Sequence, residues 1–298
     1  MRNVTGTIER IVSAGLVLVV IAGCQRDFVS PDGHIQLGTI ADTLNARITP
    51  GVSLSLIGLR DIYTLDDTIT TSLVLKNNSD PNPFSLHTES LPLHSVRVFL
   101  TGSADPVYYF PQAIAFMSFD DTLRIGDSLS FRIMWDGNTW DAQKSMWTGL
   151  KAFSGTYQLE TWLNGNRLLN HQLTKFITIS ETGSPLCGAL RIDFSSRDSV
   201  KAEFIIRNRN SRAIPLDPVN LTPITMALVA GKDTVAVFKY PLASNVSRLP
   251  GFFDTVILPF RVAKGDSRFT ALKGWFDMRA TLQLISGQIN ASGFRYLP

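Results

Sequence analysis

Cysteine is scarce in this chain: Cys24 and Cys187 are the only two among 298 residues. So few cannot build a disulfide framework or a cysteine-rich zinc site. The four histidines, His34, His87, His94 and His171, stand singly, with no H-x-x-x-H pair and no cysteine at zinc-ligand spacing. A D-x-D-x-D-G calcium loop is missing too, so no metal and no cofactor are expected. Neither charge sign dominates: 28 Lys and Arg face 25 Asp and Glu, a formal +3 with no long basic run. That is no electrostatic footprint for nucleic acid. The sequence has no G-x-S-x-G elbow, no G-x-x-x-x-G-K-[ST] phosphate loop and no G-x-G-x-x-G turn after a strand. The expectation is a protein that is not an enzyme. Charged residues make up 18% and hydrophobic ones 44%, which describes a folded chain rather than a disordered one.

A long apolar run is lacking as well. The uncharged stretch Ile11 to Gly23 has thirteen residues, short of the about 20 that a bilayer-spanning helix needs. With Arg2 and Arg10 ahead of it and Ile21-Ala22-Gly23-Cys24 at its end, it reads as an export signal. That tail resembles the lipobox of bacterial lipoproteins. The resemblance implies that residues 1–23 are a signal peptide and that Cys24 is the first mature residue and carries the lipid, palmitate included. The membrane is then a partner through Cys24. Gln25, where an Asp would signal inner-membrane retention, favours the outer membrane if the cell is Gram-negative. With Cys24 lipidated, Cys187 has no disulfide partner and reads as a small, partly buried residue in a connection. Residues 24–47 lack clear periodicity and contain the turn Pro31-Asp32-Gly33. They read as the lipidated N-terminus and a flexible tether spanning about 25–30 Å as a coil.

From Gly51 the pattern changes to short alternating segments rich in β-branched and aromatic residues, bounded by Gly, Asn, Asp and Pro. Strands are expected around Val52 to Leu56, Ile69 to Lys76, Val96 to Leu100, Leu129 to Trp135 and Leu173 to Ile179. Tyr157 to Leu163, followed by Asn164-Gly165-Asn166, opens a hairpin. Trp140 to Phe153 is the one helical candidate, since Trp147 and Leu150 would share a face. The stretch Asp67 to Asn77 aligns without a gap, 131 residues on, with Asp198 to Asn208. Near the end, Leu150-Lys151-Ala152-Phe153 aligns with Leu272-Lys273-Gly274-Trp275 at an offset of 122. This predicts an all-β chain with two tandem immunoglobulin-like β-sandwich domains, residues 48–182 and 183–298.

The first copy resembles the BsuPI-type immunoglobulin-like domain, named for an intracellular proteinase inhibitor of bacilli. The residues that carry the likeness are Asn77-Asn78-Ser79-Asp80, Leu123-Arg124-Ile125-Gly126-Asp127, Trp135-Asp136 and Gly155-Thr156-Tyr157. The second copy departs from it: Trp135-Asp136 has no counterpart, and Arg279 aligns with Tyr157. The resemblance implies the sandwich fold and, as an alternative function, proteinase inhibition, with Asp136 to Lys151 as the longest protruding loop.

Four tryptophans, Trp135, Trp140, Trp147 and Trp162, fall within 28 residues. Trp135, on an alternating strand, reads as core. Trp140 and Trp147, between strands, are the partner-binding candidates, because exposed aromatic rings suit both protein and glycan surfaces. The doublets Asp66-Asp67 and Asp120-Asp121 read as turn chemistry. The expected function is a non-catalytic cell-envelope lipoprotein that binds a protein or glycan partner or serves a structural role.

Overall fold

Residues that alternate in the sequence alternate in burial. In Ile69–Asn77 every second side chain is buried, as a strand between a core and a half-covered face requires. The computed structural model describes residues 36–37, 43–88, 92–110, 118–164, 171–193, 199–244, 246–263, 265–267 and 274–297. Cys24 and its lipobox, His34 and the Gly165-Asn166 turn lie outside these. The chain is all-β, and among the described residues no helix is long and apolar enough to cross a membrane.

The first half contains β1 (Gln36–Leu37), β2 (Thr43–Thr49), β3 (Val52–Ile57), β4 (Ile62–Tyr63), β5 (Ile69–Asn77), β6 (Phe84–Thr88) and β7 (His94–Leu100). It continues with β8 (Pro106–Phe110), β9 (Phe119–Leu123), β10 (Ser128–Trp135), β11 (Asn138–Asp141), β12 (Met146–Lys151), β13 (Gly155–Leu163) and β14 (Leu173–Ile179). One sheet runs β1-β2-β3-β5-β10 and the other β4-β14-β13-β7-β8, with β6-β9 as a short separate ladder. Leu54, Leu73, Leu75, Ile133 and Trp135 of the first sheet meet Val98, Tyr157, Leu159 and Ile177 of the second in one core. Trp135 is fully buried and packs edge-on against Tyr157 at 5.5 Å. The Tyr157 hydroxyl donates back to the Phe153 carbonyl at 2.8 Å, the tyrosine corner of immunoglobulin-like sandwiches.

The second half holds β15 (Leu186–Asp193), β16 (Ser199–Asn208), β17 (Ile214–Pro215), β18 (Ile224–Ala230), β19 (Asp233–Tyr240), β20 (Arg248–Leu249), β21 (Phe253–Ala263), β22 (Gly274–Leu284) and β23 (Gly287–Leu297). Its sheets run β15-β16-β21 and β19-β18-β22-β23, with β17-β20 as a short ladder. Phe204, Ile206, Met226, Leu228, Phe276 and Met278 centre its core. Every strand from β15 to β23 has a counterpart in the first half. The order β15-β16-β21 repeats β3-β5-β10, β23-β22-β18-β19 repeats β14-β13-β7-β8, and β17-β20 repeats β6-β9.

Two aligned asparagines mark the same joint in each copy. Asn77 ends β5 fully buried; its Nδ2 donates to the Leu123 carbonyl at 3.1 Å and its Oδ1 accepts the Asp80 N–H at 2.9 Å. Asn208 ends β16 fully buried; its Nδ2 donates to the Leu249 and Arg212 carbonyls and its Oδ1 accepts the Asn210 N–H at 3.0 Å. Leu123 and Leu249 sit at equivalent places, opposite Phe84 and Ile214 in the short ladders.

Three expectations change. Residues 43–47, placed at the end of the tether, belong to strand β2, with Leu44 opposite Leu56 of β3. The helix over Trp140 to Phe153 is instead the hairpin β11–β12. The far end of the repeat is shifted: Leu159 pairs with Val98 and Met278 with Leu228. That brings Phe276, not Arg279, level with Tyr157. Phe276 is buried, whereas Arg279 points outward and pairs with Asp277.

Candidate functional site

The hairpin is built by its own side chains. Asp141 accepts the Lys144 N–H at 3.0 Å and turns the chain, a short-range bond typical of Asp in turns. The hydroxyls of Thr139 and Thr148 meet across the strands at 2.6 Å. Trp140 stands directly opposite Trp147, with the rings edge-on at 5.2 Å. Cross-strand aromatic pairs of this kind stabilise a hairpin.

Trp147 is 40% exposed and helps to line an open depression of about 430 Å³ with Tyr108, Met134, Asp136, Asn138 and Thr68. Trp140, half-buried, backs Trp147 rather than lining the depression. Tyr108 of β8 connects surface to core, with its ring 5.7 Å from Trp147 and 5.9 Å from Trp135 and its hydroxyl donating to the Met134 carbonyl at 3.2 Å. Burial, with the Asp136 carboxylate beside it, pushes the Tyr108 phenol up. Asp136 accepts Lys151 Nζ and Asn138 Nδ2 on one oxygen, both at 2.8 Å, and the Asn138 N–H on the other at 3.0 Å. Burial works to raise its pKa, but Lys151 and Asn138 together outweigh it and hold the carboxyl below its usual range.

Behind the hairpin lies a junction between the halves that the sequence reading missed. Arg207 makes a bidentate pair with Asp254, at 2.6 and 2.8 Å, and donates to the Lys151 carbonyl at 2.8 Å. Its guanidinium lies 4.4 Å from the centre of the Phe153 ring. Arg209, almost wholly buried, donates to the carbonyls of Leu65, Ala152 and Ser184. Burial lowers its pKa. Asp66 accepts the Ser184 N–H at 2.7 Å, so this half of the acidic doublet ties the halves together. Asp67 is the turn residue, accepting the Thr64 N–H at 2.8 Å. Leu150, Ala189 and Ile205 form a small apolar cluster against Cys187. The Cys187 sulfur accepts the Lys151 N–H at 3.4 Å, and burial pushes its thiol up.

Among the described residues no histidine lines the depression. His87 meets Asp120 at 2.5 Å on the surface. His94 sits between Phe110 and Phe131, with centroids at 5.1 and 5.4 Å. Burial lowers its pKa, and that of His171. Among the described residues no cluster of three or more His, Cys, Asp or Glu is placed to hold a metal ion. Searched against known protein families, the chain matches none, and no curated protein matches it.

Proposed function

We propose that this protein is a non-catalytic, lipid-anchored component of the cell envelope whose immunoglobulin-like sandwiches present a binding face to a protein or glycan partner. The lipobox supports the anchor at Cys24. The matching strand orders support a reading of two units, 48–182 and 183–298. The observation that carries the binding role is the depression lined by Trp147 and Tyr108. Its aromatic rings are held in place by neighbours while remaining open to solvent, and rigid exposed aromatics of this kind anchor partners at low entropic cost.

The test uses the full chain in intact cells, with a photo-crosslinking side chain at position 134 in the depression or at position 294 on the second half. The expected result is one specific adduct from position 134 and none from 294. The protein should travel with the membrane fraction, and Cys24→Ala should release it. Identical background from both positions would sink the binding role, and membrane association that survives Cys24→Ala would sink the lipid anchor.

A further inference from the structure

We infer that the depression between Trp147 and Tyr108 takes a neutral saccharide, one or two pyranose rings of a longer glycan. This rests on the reading of that depression as a binding site and names the chemistry that fits it.

The lining is split in the way a sugar ring is split. Trp147, Tyr108 and Met134 offer aromatic and apolar surface, while Thr68, Asn138 and Asp136 offer hydroxyl, amide and carboxylate groups. A pyranose has an apolar C–H face and a rim of hydroxyls that both donate and accept. Charge decides against the other ligands that aromatic sites favour. Ring faces alone hold a cation at an exposed site by only about 0.5–1 kcal/mol, and the carboxylate that would add to this, Asp136, is already paired with Lys151 at 2.8 Å. An anion would meet the same carboxylate and no unpaired cation among the lining residues. What remains is a site of no net charge whose polar groups are best satisfied by a neutral, hydroxylated ligand.

Size and rigidity agree. A volume of about 430 Å³ lies at the small end of ligand sites, which run from about 300 to 1,000 Å³, and its open side lets a chain continue past the bound rings. Trp147 is set by Trp140 and Tyr108 by its bond to the Met134 carbonyl. Little side-chain freedom is left to lose when a ligand binds.

The experiment titrates the full-length protein, in a detergent without sugar headgroups, with neutral tetrasaccharides of glucose, galactose, mannose and N-acetylglucosamine up to about 1 mM. A uronate tetramer and a tetralysine peptide serve as charged probes. The expected result is calorimetric binding of at least one neutral tetrasaccharide, insensitive to salt because no charge is matched. Trp147→Ala should weaken it about tenfold, the loss of one aromatic contact, Trp147→Phe should restore most of it, and Trp275→Ala on the second half should leave it unchanged. The inference is overturned if no neutral tetrasaccharide binds, if a charged probe binds in preference, or if Trp147→Ala binds as the native protein does. Should the sugars fail while position 134 still crosslinks to a protein in cells, the saccharide falls and the binding site stands; should both fail, both fall.

Discussion

At the scale of single residues, His94 links stability to pH. Its ring is wedged between Phe110 and Phe131, and burial lowers its pKa from the ordinary 6.5. Between the lowered folded value and 6.5, the unfolded chain binds a proton that the folded chain does not. Stability is therefore complete above about pH 6.5 and is lost as pH falls below it, by at most about 1.4 kcal/mol per pH unit. His171 adds in the same direction. Urea unfolding of the full chain should give a flat midpoint above about pH 7 and a falling one below about pH 6.5. His94→Gln should flatten that slope; an unchanged slope would remove His94 from the account.

At the scale of elements, the hairpin β11–β12 has left-handed backbone at Ser145 and Gly149, and the second of these faces the other half of the chain. Gly149 has φ of +74°, and a Cβ there would lie 3.1 Å from the Ala189 Cβ across the junction. Gly231 has φ of +62° with open space around it. Alanine at either position pays the left-handed backbone cost of about 1–2 kcal/mol. Only Gly149→Ala also presses on the second half, so it should lower the urea-derived stability by more than Gly231→Ala does; equal losses would show that the contact yields freely. The same hairpin shows where the sequence was hard to read. Strands β3, β5, β7, β10 and β14 declare themselves by alternation, because one face of each meets a core. The hairpin carries Trp147 and Leu150 three residues apart, a helical spacing, and its pairing is decided by Thr139, Thr148 and the opposed tryptophans. Trp147 was legible as an exposed aromatic between strands. Tyr108, Met134 and Thr68 were not, since they come from separate segments brought together only by sheet order. Arg207 and Arg209 were invisible for a different reason: Arg207 finds Asp254 47 residues away, and Arg209 bonds mainly to backbone carbonyls, which leave no mark on the sequence.

At the scale of the whole molecule, Arg209 ties the two halves of the chain together. Its bonds reach Leu65 and Ala152 on one side and Ser184 in the connection, and Ser154 returns an N–H bond to the Arg209 carbonyl at 2.8 Å. Removing the guanidinium leaves buried carbonyls without donors, at a cost of about 3 kcal/mol. The native chain should melt in one calorimetric transition, and Arg209→Met should melt earlier and resolve into two. Two transitions in the native chain would mean that the junction does not couple the halves. The buried asparagines at the ends of β5 and β16 are a point of likeness between the two halves. An apolar core residue can be exchanged for another of similar volume at small cost, so two cores of the same strand order need not match position by position. Asn77 and Asn208 have no such freedom, because no other side chain offers an amide donor and acceptor at that reach: aspartate would bury a charge and alanine would strand carbonyls. They are positions at which both halves need the same side chain, and the ungapped stretch of likeness from Asp67 to Asn77 and from Asp198 to Asn208 ends on them.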